Sequence, residues 1–347
     1  MFERTALPPL DTPRSAIAMG KQGELMKARC FGWAGMLAVV FSVQALPQEF
    51  PSKPVRLLIG PGAGGATDVM ARTFASKLSE IWGQQLIIEN RPGAGNTLAP
   101  TIAAKATPDG YTLVYCGISD SIAPALYKKL SYDFLKDFAP ISLIGTTANV
   151  LVVHPSVPAK SVREFIAFAR ANGGKIDYGS TGVGISTHLS MELFKTMTGT
   201  NLMHVPYKAF ALAQPDLLAG RIPVMMNNLP GQVDAIRSGK LRGLGVTTLK
   251  RSPRLPEIPT IHESGVPGFE VVVWYGLAAP AAVPAPVLGK VHADSVTALG
   301  AADLRSRLEQ QGIDPGASPT RAEFGTFVKS ETAKWAKVVR DAGIPAQ

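Results

Sequence analysis

Three turns rich in glycine or hydroxyl residues, Gly60–Thr67, Asn90–Thr97 and Gly179–His188, each lie between an apolar run and a helical pattern. A strand–turn–helix layout of this kind aims the unpaired N–H groups of a helix start at an anion. The first turn, GPGAGG, sets Gly60, Gly62 and Gly65 in the G-x-G-x-x-G spacing of a dinucleotide site, and Glu89 ends the next apolar run where a ribose-binding acid would sit. The same groups suit a carboxylate, because Thr67, Ser180, Thr181, Ser186 and Thr187 add hydroxyl donors to the helix-start N–H groups. Tight strand–helix packing explains such glycines without any ligand, and for 90–97 it is the stronger reading. Asp68 falls in the first turn of its helix, where offsetting the helix dipole is the simpler role and holding a ligand group or ordered water the functional one. His188 stands at a helix start near Ser186, but no orienting acid or oxyanion hole is readable for a Ser-His nucleophile. His154, His204, His262 and His292 show no metal-ligand spacing. Lys208 reads as an exposed lysine, and Trp274 and Tyr275 as core or hinge packing. No catalytic residue, metal or cofactor is therefore expected.

The elements that must position these turns alternate. Strand Val55–Ile59 leads into a helix beginning near Thr67; strand Gln85–Glu89 and the second turn lead into a helix over Leu98–Lys105; strand Tyr111–Cys116 is followed by a helix near Ala123–Lys129. Strands Ile141–Ile144 and Val150–Val153 come next. Ser161 then caps a helix, with Glu164 placed to complete a capping box. A second series follows: strand Ile176–Tyr178, the third turn, helix Leu189–Met197, strand Met203–Val205, a helix ending at Gly220, strand Ile222–Met226, helix Gln232–Ser238 and strand Leu241–Thr247. The proline-rich Ser252–Pro267 reads as a connection, Val271–Ala278 as a strand, and Ala285–Leu299, Asp303–Gln310 and Arg321–Ala342 as helices. Such alternation predicts an α/β fold with parallel sheet. Two series with comparable turns predict two lobes sharing one cleft: residues 46–149 plus 272–347, and residues 150–271, joined by crossings near Ala148–Leu151 and Val271–Trp274.

With 347 residues, 46% of them hydrophobic and 18% charged, the chain has the composition of an ordinary globular protein. The N-terminus is different. From Met26 it runs MKARCFGWAGMLAVVFSVQALPQ: a short basic region at Lys27 and Arg29, an apolar stretch Phe31–Val43, and a small-residue cleavage site at Val43-Gln44-Ala45. That is the pattern of a secretory signal, too short for a comfortable membrane span. Residues 1–25 read as an upstream extension, with Met19 and Met26 as alternative starts, so 1–45 fall outside the fold. Cleavage near Ala45 would leave an exported chain with Cys116 alone, hence no internal disulfide and no cysteine-based metal site. Five basic and three acidic side chains in 1–45 leave +7 of the formal +9 to the remainder. This mild basicity suits an anionic ligand, and without dense Lys/Arg blocks interleaved with aromatics it does not indicate nucleic acid.

In order along the chain, PVRLLIGPGAGGATDVMAR, IIENRPGAGN, TPDGYTLVY, SVREFIAFAR, STHLSMELFK, HVPYK, SGKLRGLGVTT, PEIPTIHESGVPGFE and AKWAKVV strongly resemble the Bug (TctC-like) family, the extracytoplasmic solute receptors of tripartite tricarboxylate transporters. The match runs from about Phe50 to Ile344. The resemblance implies a type II periplasmic-binding-protein fold, two α/β lobes joined by two hinge crossings around a ligand cleft. It also implies a small carboxylate held partly through ordered water, a periplasmic monomer, and membrane transport subunits as partners. The family's two binding loops fall on residues 60–68 and 179–188. The expected ligand-binding residues are Gly64, Gly65, Ala66, Thr67, Asp68, Ser119, Ser180, Thr181, Gly184, Ser186, Thr187, His188, Ala209 and Asn227. Three departures stand out. The family's proline/aromatic turn of the PFPPGG type is Gly60–Gly65 here, its Gly-Gly after Pro206-Tyr207-Lys208 is Ala209-Phe210, and its common acid before Asn-Leu-Pro is Asn227. The first of these creates the dinucleotide spacing. Two rival functions remain: an NAD-dependent oxidoreductase built on Gly60–Gly65 and Glu89, which the signal segment and the missing catalytic constellation weigh against, and the same binding fold serving a sensor kinase.

Overall fold

The structure, a computed structural model, describes residues 49–63 and 66–345, apart from the side chains of Ala66 and Ala94. The expected signal segment and extension, and Gly64 and Gly65 of the first turn, lie outside the described residues. No helix among the described residues is long and apolar enough to cross a membrane.

The chain builds a mixed sheet flanked by helices. The first part is β1 (Val55–Ile59), α1 (Ala66–Trp82), β2 (Leu86–Asn90), α2 (Leu98–Ala103), β3 (Thr112–Gly117), α3 (Ile118–Leu126), the short α4 (Phe134–Asp137) and β4 (Phe138–Val153). Then come α5 (Val162–Ala171), β5 (Asp177–Ser180), α6 (Ser186–Thr198), β6 (Met203–Pro206), α7 (Phe210–Leu218), β7 (Val224–Asn228), α8 (Val233–Arg237) and β8 (Arg242–Val246). The chain closes with β9 (Val272–Pro280), α9 (Ala285–Gly300), α10 (Ala302–Gln310), β10 (Asp314–Pro315) and α11 (Arg321–Asp341).

The strand order is β2-β1-β3-β9-β4-β7-β5-β6, with β8 and β10 also paired to β4. The expectation of a parallel sheet holds only for β2-β1-β3 and for β6-β5-β7. Strands β9 and β4 run against their neighbours, because β9 returns from a long connection and not through a helical crossover. The two strands expected at 141–144 and 150–153 are one 16-residue strand, β4. Its polar Gly145–Thr147 stretch stays extended because it pairs with Trp274 and its neighbours on β9. Pairing with β9 ends at Ala148↔Val272, and pairing with β7 begins at Asn149↔Asn228. One strand thus hands over from one set of partners to another within a single residue step.

Apolar residues cover both faces. Val55, Leu57, Leu58 and Ile59 of β1 are fully buried, and one large core runs from them through Phe74, Trp274, Phe324 and Trp335. A smaller core lines the opposite face of late β4, with Val150, Val152, Leu217 and Met225. Local signals account for several boundaries. Ser161 Oγ accepts from the Glu164 N–H at 3.2 Å, but the Glu164 carboxylate accepts from Lys160 N, one residue before the expected box position. The helix expected near Ala123 starts five residues earlier, at Ile118. The Asp120 carboxylate accepts from the Gly117 N–H at 2.8 Å, starting the helix directly off the end of β3.

Candidate functional site

Strands β1 and β3 are parallel, and so are β5 and β7, so within each pair the carboxyl ends lie together. The register carries both pairs to the middle of β4: Gly117 at the end of β3 faces Tyr275, which is level with Gly145, and Asn228 at the end of β7 faces Asn149. In open α/β sheets the crevice outside strand carboxyl ends is where ligands bind. β3 runs with β4 and β7 runs against it, so the two sets of carboxyl ends point toward each other; α1 and α3 start on one side of this gap and α6 on the other, and their first N–H groups have no partner within the helix.

The first two turns brace each other. A Cβ on Gly60 would lie 2.7 Å from the Asn96 Cβ, so the backbones touch there. Asn90 Nδ2 donates to the Pro61 carbonyl at 3.0 Å and to the Asp68 carboxylate at 2.9 Å, and Arg72 Nε donates to Asp68 at 3.0 Å. Asp68 is 3% exposed, and its charge is offset by Arg72. It ties α1 to the two turns. Glu89 is engaged as well: Arg56 and Arg91 both pair with it, and mainly the Arg56 guanidinium pulls its carboxyl down to about 2. The acid that would hold a ribose is committed to two arginines.

The third turn rests on a buried polar stack. The His188 and His204 rings are 4.0 Å apart and nearly parallel, and Tyr178 stacks on His204 at 4.9 Å. Ser180 Oγ and His204 Nε2 lie 2.7 Å apart, and Ser180 Oγ also donates to the Gly182 carbonyl. Gly184 N–H donates to His188 Nδ1 at 3.1 Å. Burial lowers His188 to about 3 and His204 to about 4, so both rings are neutral at pH 7. Thr187 Oγ1 accepts from the Thr181 N–H at 3.1 Å, and Ser186 and Thr187 are buried. Gly184 has φ +76°, and a Cβ there would collide with Leu126 of α3. The loop before α6 is therefore packed on the helix that follows β3.

Thr67 and Asp68 lie at the α1 start, Ser119 at the α3 start, and Ser180, Thr181, Gly184, Ser186, Thr187 and His188 in and around the loop at the α6 start. Ala66 is the first residue of α1. Asn227 is 2% exposed; its Oδ1 accepts from the Asn228 N–H, while its buried Nδ2 has no partner among the described residues. Ala209 is exposed and extended before α7, two residues after Tyr207, whose N–H donates to the Ser180 carbonyl of the third turn, and Phe210 packs on Gly231. Local patterns give no sign of the bracing by Asn90 or of the loop-holding role of His204, because both act on residues distant in sequence.

A profile described as "Tripartite tricarboxylate transporter family receptor" matches residues 70–344. The chain belongs to this family. A UPF0065 protein from the tcbD-tcbE intergenic region of Pseudomonas sp. (strain P51) is 36% identical over 291 residues, 84% of this chain and 86% of that protein. Among solved structures, R. palustris Rpa4515 with adipate has a TM-score of 0.80 at 36% identity, covering 86% of this chain and 100% of that one. MatC from Rhodopseudomonas palustris with bound malate has a TM-score of 0.76 at 31% identity, covering 84% and 100%. This receptor has the α/β fold of periplasmic solute-binding proteins, and TctC-family members are receptors and not enzymes.

Proposed function

We propose that this receptor captures a small carboxylate at the strand carboxyl ends facing mid-β4 and delivers it to the membrane subunits of a tripartite carrier. The observation that carries this reading is that the α1 and α3 starts, at the ends of β1 and β3, face the α6 start, at the end of β5, from opposite directions across Gly145–Asn149 of β4. Adipate and malate in two similar proteins support the ligand class. Residues 46–149 plus 272–347 and residues 150–271 act as two lobes, and the handover of β4 between Ala148 and Asn149 supports a hinge there. The protein works in the periplasm after cleavage near Ala45, and it performs no catalysis. Supporting the last point, the Ser180 hydroxyl is buried and bonded to Gly182, and Glu192 is bonded to Tyr178 and Lys195, so neither is set up as a nucleophile or its orienting acid.

A thermal-shift screen of the chain from Leu46 against mono-, di- and tricarboxylates and NAD tests this. Stabilisation by one or a few carboxylates is expected, by about 3 kcal/mol at a hundredfold excess over Kd. Stabilisation by NAD alone would sink the reading.

A further inference from the structure

Among the described residues the Tyr115 hydroxyl, at the end of β3, has no partner in hydrogen-bond geometry, and the residue is only 6% exposed. A buried phenol without a partner is costly, and in a native protein it signals an absent water or ligand atom. Its surroundings are specific. The Tyr115 and Tyr275 rings lie 5.9 Å apart, and the Thr67 side chain, in the first turn of the 17-residue helix α1, sits against both phenols. Three hydroxyls from β3, β9 and α1 therefore meet where α1 presents its unpartnered N–H groups.

We infer that Tyr115, Tyr275 and Thr67 form a hydroxyl subsite at the α1 start that receives one carboxylate group of the ligand, directly or through one ordered water. This rests on the carboxylate-binding reading above and adds to it the residues that orient the ligand in the first half of the chain. Burial holds both phenols far above their ordinary pKa, so they stay protonated and act toward an anion as neutral donors. The subsite also uses residues that packing alone would explain poorly: phenylalanine would fill the same volume at Tyr115 without leaving a polar atom stranded.

The test is Tyr115→Phe, Tyr275→Phe and Thr67→Val in the full mature chain, with Thr67→Ser as the restoring change. Each is titrated by calorimetry with succinate, malate, adipate and citrate, and its ligand-free thermal midpoint is measured. For every carboxylate that the wild type binds, Tyr115→Phe is expected to weaken affinity about ten- to a hundredfold, the effect of losing a hydrogen bond to a charged group. The ligand-free midpoint should stay equal or rise, because the stranded hydroxyl is gone. Thr67→Val should lose affinity and Thr67→Ser keep it. Unchanged affinity in Tyr115→Phe overturns the subsite, and so does a lowered ligand-free midpoint with unchanged affinity, which would mark a structural water. Wild-type protein that binds none of the four overturns the subsite together with the carboxylate reading beneath it.

Discussion

Asp120 offers a measurable cost hidden inside α3. Burial is the main reason its carboxyl rises from an ordinary 3.8 to about 7, and the Gly117 N–H only partly offsets that. Because the folded value lies above the unfolded one, the folded chain holds a proton there that the unfolded chain releases. The resulting penalty is nearly absent below pH 4, grows as pH rises through the interval, and is constant above pH 7. At about 1.4 kcal/mol per tenfold in acidity, ionised Asp120 costs the fold on the order of 4 kcal/mol above pH 7. Asp120→Asn keeps an acceptor for Gly117 and removes the charge, while its new amide donor takes back part of the gain. Urea unfolding of both chains at pH 4, 5.5, 7 and 8 is the assay. The variant should be more stable by about 2–4 kcal/mol at pH 8, with the gap shrinking toward zero at pH 4. A gap that does not change with pH would show that Asp120 is not held protonated, and the burial argument would fail. The other titratable groups facing it, Tyr115, Cys116 and Tyr132, are pushed upward by burial and do not titrate in this window.

Two further perturbations address the third turn. Gly184→Val places a β-branched side chain at φ +76° against Leu126, so the loop must move; a stability loss of about 1–3 kcal/mol and at least about tenfold weaker carboxylate binding are expected. Unchanged affinity in calorimetry would remove residues 181–185 from the site. His188 and His204 are depressed to about 3 and about 4, so the folded chain resists protonation and loses stability as pH falls from the unfolded value near 6.5 toward those values. His204→Gln keeps a polar atom near Ser180 and cannot titrate in that range, so the acid-side loss in urea unfolding should become shallower. An identical acid slope would refute the assignment.

The site was partly legible because helix-start chemistry is local. Thr67, Asp68, Ser186, Thr187 and His188 announce themselves by position after a strand and a small-residue turn, and the strand directions set the two groups toward each other across the middle of β4. Asp68 shows the limit of that logic: its partners Asn90 and Arg72 come from another turn and the next turn of its helix, and together they give it a bracing role. The dinucleotide spacing of Gly60–Gly65 shows it from the other side. The letters fit a nucleotide, but Gly60 is pressed on Asn96 and Glu89 is taken by arginines.

By itself the sequence determined the family, the alternation of strands and helices and most element boundaries to within a few residues, since apolar period, caps and turns are short-range signals. Only the tertiary structure decided three things: that β4 is one strand reversing against its neighbours, that the 180–184 loop is held by two stacked neutral histidines, and that the Tyr115 hydroxyl is stranded beside Thr67 and Tyr275. Each depends on residues far apart in the chain. Strand direction, burial of a ring nitrogen and the absence of a partner exist only once non-local segments have packed.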